Sequence, residues 1–251
     1  MLCALDFALS EGVDEAIMDL AGRQVIGAIA CLSVSDIWPQ EAHRLQSRDQ
    51  KGPPKIPVGL TLTLTKSFPP LSSGFFPDNR QYAGRLPDRP DLARAARSLN
   101  LRTNVIEAEI RSQIRRFLAH WGSPPAFVHL EPPILLFEVA VRAVTAALSQ
   151  FKLLKCPILV AELPRPRGLV ERAERRWLWR SAEHARQPWQ RRMLLELKDP
   201  ARVPQKNSWR IDTRVWTGIR PAVDSPRDQA RLERFDQDPS ARVSQYQLFC
   251  D

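Results

Sequence analysis

Two carboxylates stand where short apolar runs end. Asp6 lies within Leu2–Phe7, and Glu131 follows Ala126–Leu130. Between them, Val58–Thr65 alternates Leu60, Leu62 and Leu64 with Thr61, Thr63 and Thr65. Carboxylates and hydroxyls at the ends of strands are where parallel α/β folds carry their chemistry. Each acid also has a plainer use: Asp6 as a turn or cap acid ahead of Ser10, and Glu131 as a solvated loop carboxylate before Pro132 and Pro133. His129, inside an apolar run, reads as a hydrogen-bonded interior histidine rather than a base. His43, His120 and His184 fall on helical patterns and read as surface residues. No Ser/His/Asp or Cys/His constellation, Walker loop or Cys/His zinc spacing is present.

The elements that must position these groups follow from periodicity. The Leu/Thr alternation is a strand with one apolar wall and one hydroxyl wall. A sheet with one wet face would produce it, and so would a barrel with a polar interior. Leu2–Phe7 reads as a buried strand, and Ser10 caps a helix carrying Val13, Ala16, Ile17 and Leu20. Val25–Leu32 is a continuous apolar strand, and a second helix opens at Ser35 or Asp36 and breaks at Lys51–Pro54. Strand, helix, strand, helix, strand implies parallel strands with right-handed crossovers. Chemistry in such folds gathers at the carboxyl ends of strands, where Asp6 and Thr61–Thr65 fall. Residues 66 to about 100 form a long irregular stretch, as lids and binding loops do.

Asn104, with Glu107 in capping-box position, is expected to open a helix whose buried stripe is Ile106, Ile110, Ile114, Phe117, Leu118 and Trp121. Gly122 stops it. Ala126–Leu130 and Pro157–Leu163 read as strands around a helix over about 136–151. Arg165–Arg192 is rich in Arg and Trp on a helical pattern. Trp209–Trp216 reads as a strand, Pro226–Phe235 as a helix and Val243–Phe249 as a closing strand.

Composition sets the outer bounds. With 251 residues and 43% hydrophobic content the chain can bury a core, which excludes global disorder. A net charge of +9 suits an anionic partner, though charge sets attraction rather than a reaction. Cys3, Cys31, Cys156 and Cys250 form no C-x-x-C pair and read as reduced thiols of a cytosolic protein. The N-terminus lacks the basic region of a signal peptide, and no apolar run is long enough to span a membrane.

Several stretches together resemble the YdjC/ChbG-type carbohydrate deacetylases, and within them the hopanoid-biosynthesis-associated branch. They are Ala4–Val13, Val58–Thr65, Phe68–Ser72, and Glu107–Phe117 with Gly122–Val128, covering roughly residues 2–155. The resemblance implies an α/β fold, an irregular TIM-like barrel of mainly parallel strands in one domain, with residues 165–251 a divergent basic part. It also implies a divalent metal and hydrolysis of N-acetyl groups from amino sugars. In the family pattern an Asp base precedes an Asp ligand, a His follows on the central strand, and a His-Gln-His-type cluster comes later. Here the base position holds Leu5, Asp6 is kept, the strand His is Thr61, and the cluster falls on Glu131, Pro132 and Pro133. The degenerate metal set is thus Asp6 and Glu131 with Thr61 beside them, holding a weakly bound divalent ion such as magnesium or none. With Leu5 at the base position, a loss of 10²–10⁴-fold follows from general-base catalysis alone.

The expected function is therefore a deacetylase-fold protein with weak or lost catalysis. The alternative is a non-catalytic barrel binding a sugar, a lipid headgroup or a protein, linked to hopanoid or cell-envelope metabolism. An acetylated sugar or glycolipid-like ligand is the expected partner. Residues 165–192 could dock on an anionic membrane surface, or form an outer helix with a solvated basic face; nucleic acid is disfavoured. The expected location is cytoplasmic, with a peripheral attachment to the inner membrane as its variant.

Overall fold

Strands and helices alternate along most of the chain. The order is β1 (Leu2–Phe7), α1 (Glu11–Gly22), β2 (Ala28–Cys31), α2 (Trp38–Asp49), β3 (Val58–Leu62), α3 (Arg89–Arg97), α4 (Thr103–Trp121), β4 (Val128–Leu130), α5 (Glu138–Gln150), β5 (Ile158–Ala161), β6 (Arg191–Glu196), β7 (Val215–Ile219), α6 (Pro226–Arg234) and α7 (Pro239–Gln247). The computed structural model describes residues 1–49, 56–65, 68–74, 84–97, 102–131, 138–161, 191–196, 215–223, 225–234 and 239–247. Among the described residues each strand pairs in parallel with the next, and β7 returns to pair with β1, so seven strands close an α/β barrel. Closure removes both sheet edges.

The two walls of each strand do different work. Leu60, Leu62 and Leu64 join Ala4, Ile29, Val128 and Ile158 in the apolar layer beneath the helices. A second cluster fills the barrel itself: Cys3, Leu5, Ala28, Ala30, Phe127 and Leu159. Thr61, Thr63 and Thr65 are buried too, so the hydroxyl wall is an interior and not a wet face. A narrow barrel needs small inner residues to admit large ones. Gly59 does this: a Cβ there would run into the Phe127 ring.

Local signals explain most boundaries. Ser10 accepts from the Val13 N–H and caps α1. Gly122 ends α4 in the left-handed region at φ 76°, its N–H bonding to Leu118 O. Trp38 stacks on Phe117 at 5.4 Å and donates from its indole N–H to Arg116 O at 3.3 Å, fastening α2 to α4.

Other expectations are corrected. The α4 cap position is Arg102, with no side-chain cap bond, and Glu107 pairs with Arg111 instead of closing a capping box. The helix expected to open at Ser35 or Asp36 starts at Trp38, because both residues turn toward Arg231. The Ala28–Cys31 strand is shorter than the apolar run containing it, since parallel pairing and not hydrophobicity sets its ends. The irregular stretch includes α3. The closing strand expected over Val243–Phe249 is not seen over Val243–Gln247: β7 has already closed the barrel, and these residues belong to α7, which opens on Pro239 and turns Arg242 inward, while residues 248–249 lie outside the described residues. Residues 191–192, placed on a helical pattern in the sequence, lie in β6; the rest of the basic Arg/Trp stretch to residue 190 lies outside the described residues. Residues 209–214 and Cys250 lie outside them as well, and so do Pro132, Pro133 and His184. Among the described residues, Cys3, Cys31 and Cys156 are free thiols, and no helix is long and apolar enough to cross a membrane.

Candidate active site

All strands run the same way, so their carboxyl ends form one mouth. Asp6 reaches it through an irregularity. The β1 register against β2 shifts between Ala4 and Phe7, and Asp6 and Ala8 both take φ 69°. Bulged, left-handed positions re-aim side chains, and Asp tolerates them better than most residues. Leu5 stays in the inner apolar cluster while the Asp6 carboxylate meets two arginines. Arg220, just after β7, bonds to Asp6 Oδ2. Arg242, from α7, bonds to the same oxygen at 2.7 Å. Asp6 is fully buried, so it is not a solvent-facing turn acid.

The opposite wall comes from β3 and β4. Their register sets Thr61 beside His129, and Thr61 Oγ1 lies 3.2 Å from His129 Nδ1. One layer nearer the mouth, Thr63 Oγ1 donates to Glu131 Oε2 at 2.6 Å. Glu131 is 1% exposed, so it is a buried acceptor rather than a solvated loop carboxylate. Arg242 feels the fields of both Asp6 and Glu131, which raise its proton affinity, while burial, the larger effect, lowers it. The structure therefore brings Asp6 and Glu131 to one mouth around Arg242, with Thr61 joined to His129 in the barrel. His43 is exposed on α2 and His120 on α4.

A polar relay behind this wall was not foreseen. Gln113 of α4 accepts from the Thr63 N–H at 3.2 Å and donates to Thr63 O at 2.7 Å, standing in for a strand partner past the end of β3. It also donates to Glu109 Oε1 at 2.9 Å, and Glu109 Oε2 accepts from the Ser72 N–H at 2.8 Å. Burial pushes the Glu109 carboxyl up, and these hydrogen bonds oppose the shift. The sequence held a signal: Glu109 and Gln113 lie three residues after Ile106 and Ile110, on the buried stripe. Arg220 and Arg242 carried no such signal among 37 Lys and Arg residues.

Among the described residues the donor set does not fit a divalent cation. A hydrolytic metal takes about three protein ligands and keeps an open position for water. Among the described residues no three His, Cys, Asp or Glu side chains gather in that way. Asp6 Oδ2 is already the acceptor of two guanidiniums. The arrangement can instead hold a ligand by hydrogen bonds from fixed donors and acceptors.

Comparison with known proteins agrees with this architecture. No curated protein gives a match. The crystal structure of a candidate cellobiose-phosphate cleavage protein from Enterococcus faecalis superposes with a TM-score of 0.67 at 14% identity, covering 100% of this chain and 90% of the other. At that identity it shows the fold alone. The lactam utilization protein from Thermus thermophilus aligns over 78% of this chain and 65% of its own at 20% identity, with a TM-score of 0.39, too low to support an argument. The model of the YdjC-like protein family matches residues 1–238, reaching well beyond the stretches within residues 2–155 that carry the resemblance, and on that match the chain belongs to the YdjC-like family.

Proposed function

We propose that this protein is a carbohydrate deacetylase-fold barrel with weak or lost catalysis, which keeps its mouth for binding an acetylated sugar. A sugar linked to a hopanoid or another lipid is the form that the branch resemblance favours. One observation carries the proposal. The residue at the family's base position, Leu5, is fully buried in an apolar cluster with Cys3, Ala28, Ala30, Phe127 and Leu159. No proton acceptor stands there to activate a water, and Thr61 at the former His position is engaged with His129. The polar lining of the wall, from Thr63 and Glu131, supports ligand binding by hydrogen bonds.

The test is acetate release from N-acetylated chito-oligosaccharides, measured with and without added magnesium, manganese or zinc. Release at or little above the uncatalysed rate is expected in every case, together with saturable binding of the same sugars by calorimetry. Robust turnover sinks the proposal. An absence of sugar binding removes the ligand assignment.

A further inference from the structure

We propose that Arg220 and Arg242 are the resident cation of this site: a pair of guanidiniums stands beside Asp6 where a metal is expected, and makes the mouth one that binds without hydrolysing. This deepens the function proposed above and rests on it for the ligand, but not for the cation.

Three observations converge. Both arginines bond to one oxygen of one carboxylate. The side chains are deeply placed, with Asp6 at 0%, Arg242 at 3% and Arg220 at 17% exposure. A carboxylate and guanidiniums buried to that degree persist only when paired, since removing an ion from water is costly. Third, the chain devotes two separate elements to delivering them. Arg220 follows β7 directly, and Arg242 comes from α7, whose backbone is tied to the β7 exit where Ala222 N donates to Arg242 O at 3.3 Å.

The chemistry of the substitution is specific. A bound divalent ion leaves an open coordination position at which water loses its proton more easily. A guanidinium has donors only, keeps its charge and offers no such position. It can still polarise a ligand oxygen by hydrogen bonding. Two fixed positive charges in contact with Asp6 also repel an incoming divalent ion.

The experiment is thermal melting of the full chain with EDTA or millimolar magnesium, manganese or zinc, combined with a double-mutant cycle of Asp6→Asn and Arg242→Met. The expected result is a wild-type midpoint indifferent to all four additions. Asp6→Asn should lower the midpoint by about 10 °C in the wild-type background and by much less beside Arg242→Met, because breaking a buried pair leaves its partner uncompensated. If Arg242→Met does not fold, Arg220→Gln, the more exposed partner, takes its place in the cycle. Additive losses overturn the proposal. So does a divalent ion that raises the midpoint of the wild type but not of Asp6→Asn. Acetate release without metal sensitivity would sink the lost-catalysis function and leave the resident cation standing; metal-dependent stability without acetate release would do the reverse.

Discussion

Gln113 shows what a single side chain contributes here. Its amide completes the backbone pairing of Thr63, and Thr63 in turn aims its hydroxyl at Glu131. Replacing Gln113 by Leu keeps the volume but strands a buried N–H and a buried C=O, each costing about 1–3 kcal/mol. Urea denaturation of Gln113→Leu should therefore show a loss of about 2–6 kcal/mol. A loss under about 1 kcal/mol would mean that water replaces the amide. The periodicity that exposes Ile106, Ile110 and Ile114 as a buried stripe also covers Gln113, yet a polar residue on an apolar face is legible as functional only once its partner is known. Leu5 and Asp6 are adjacent in sequence and opposite in role for the same reason. The bulge between them, with φ 69° at Asp6, separates an interior leucine from a charged mouth.

At the scale of elements, β1 and α1 are fastened by buried acids. Asp14 of α1 accepts from the Ala8 N–H at 2.6 Å, behind the loop that carries Asp6. Burial first, and the nearby Glu41 of α2 second, push the Asp14 carboxyl well above the usual range, with the Ala8 hydrogen bond and then Arg44 opposing. A carboxyl whose folded value is raised contributes stability that is full below its unfolded value near 3.9 and is lost as pH rises toward the folded one. Asp14→Asn keeps an acceptor for Ala8 and removes the titration. The fall in its stability from pH 4 to pH 7 should be shallower than that of the wild type, by up to about 1.4 kcal/mol per pH unit. Parallel stability curves for the two proteins would refute the assignment.

The start of α1 is held from the far end of the chain. Asp228 of α6 accepts from Ser10 Oγ at 2.9 Å and from the Gly12 N–H, and Arg231 donates to Leu9 O at 2.5 Å and to Asp36 at 2.6 Å. A Cβ on Gly12 would overlap the Asp228 carboxylate. Gly12→Ala should cost about 1–3 kcal/mol by forcing α6 off this cap, measurable as a lower denaturation midpoint. The Ser10 cap was legible locally; its second partner, 218 residues away, was not.

For the molecule as a whole, closure of β7 onto β1 makes the barrel interior a single packed unit. Gly59→Ala forces a methyl group against Phe127, which has no room to yield inside seven strands. We expect a loss of about 1–3 kcal/mol in one cooperative transition with an unchanged denaturant slope. A second, separate transition would show that the barrel is not one folding unit. The alternation of strands and helices, the Leu wall of β3 and the Ser10 cap are local patterns, and the chain alone determined them because each depends on neighbours within a few residues. The same holds for the family resemblance, carried by short runs around Asp6 and Thr61. Which cation faces Asp6, which wall encloses Thr61, and that Val243 lies on a helix were decided by tertiary structure. Those outcomes depend on side chains far apart in the chain, 236 residues in the case of Asp6 and Arg242, and no periodicity records a partner at that distance.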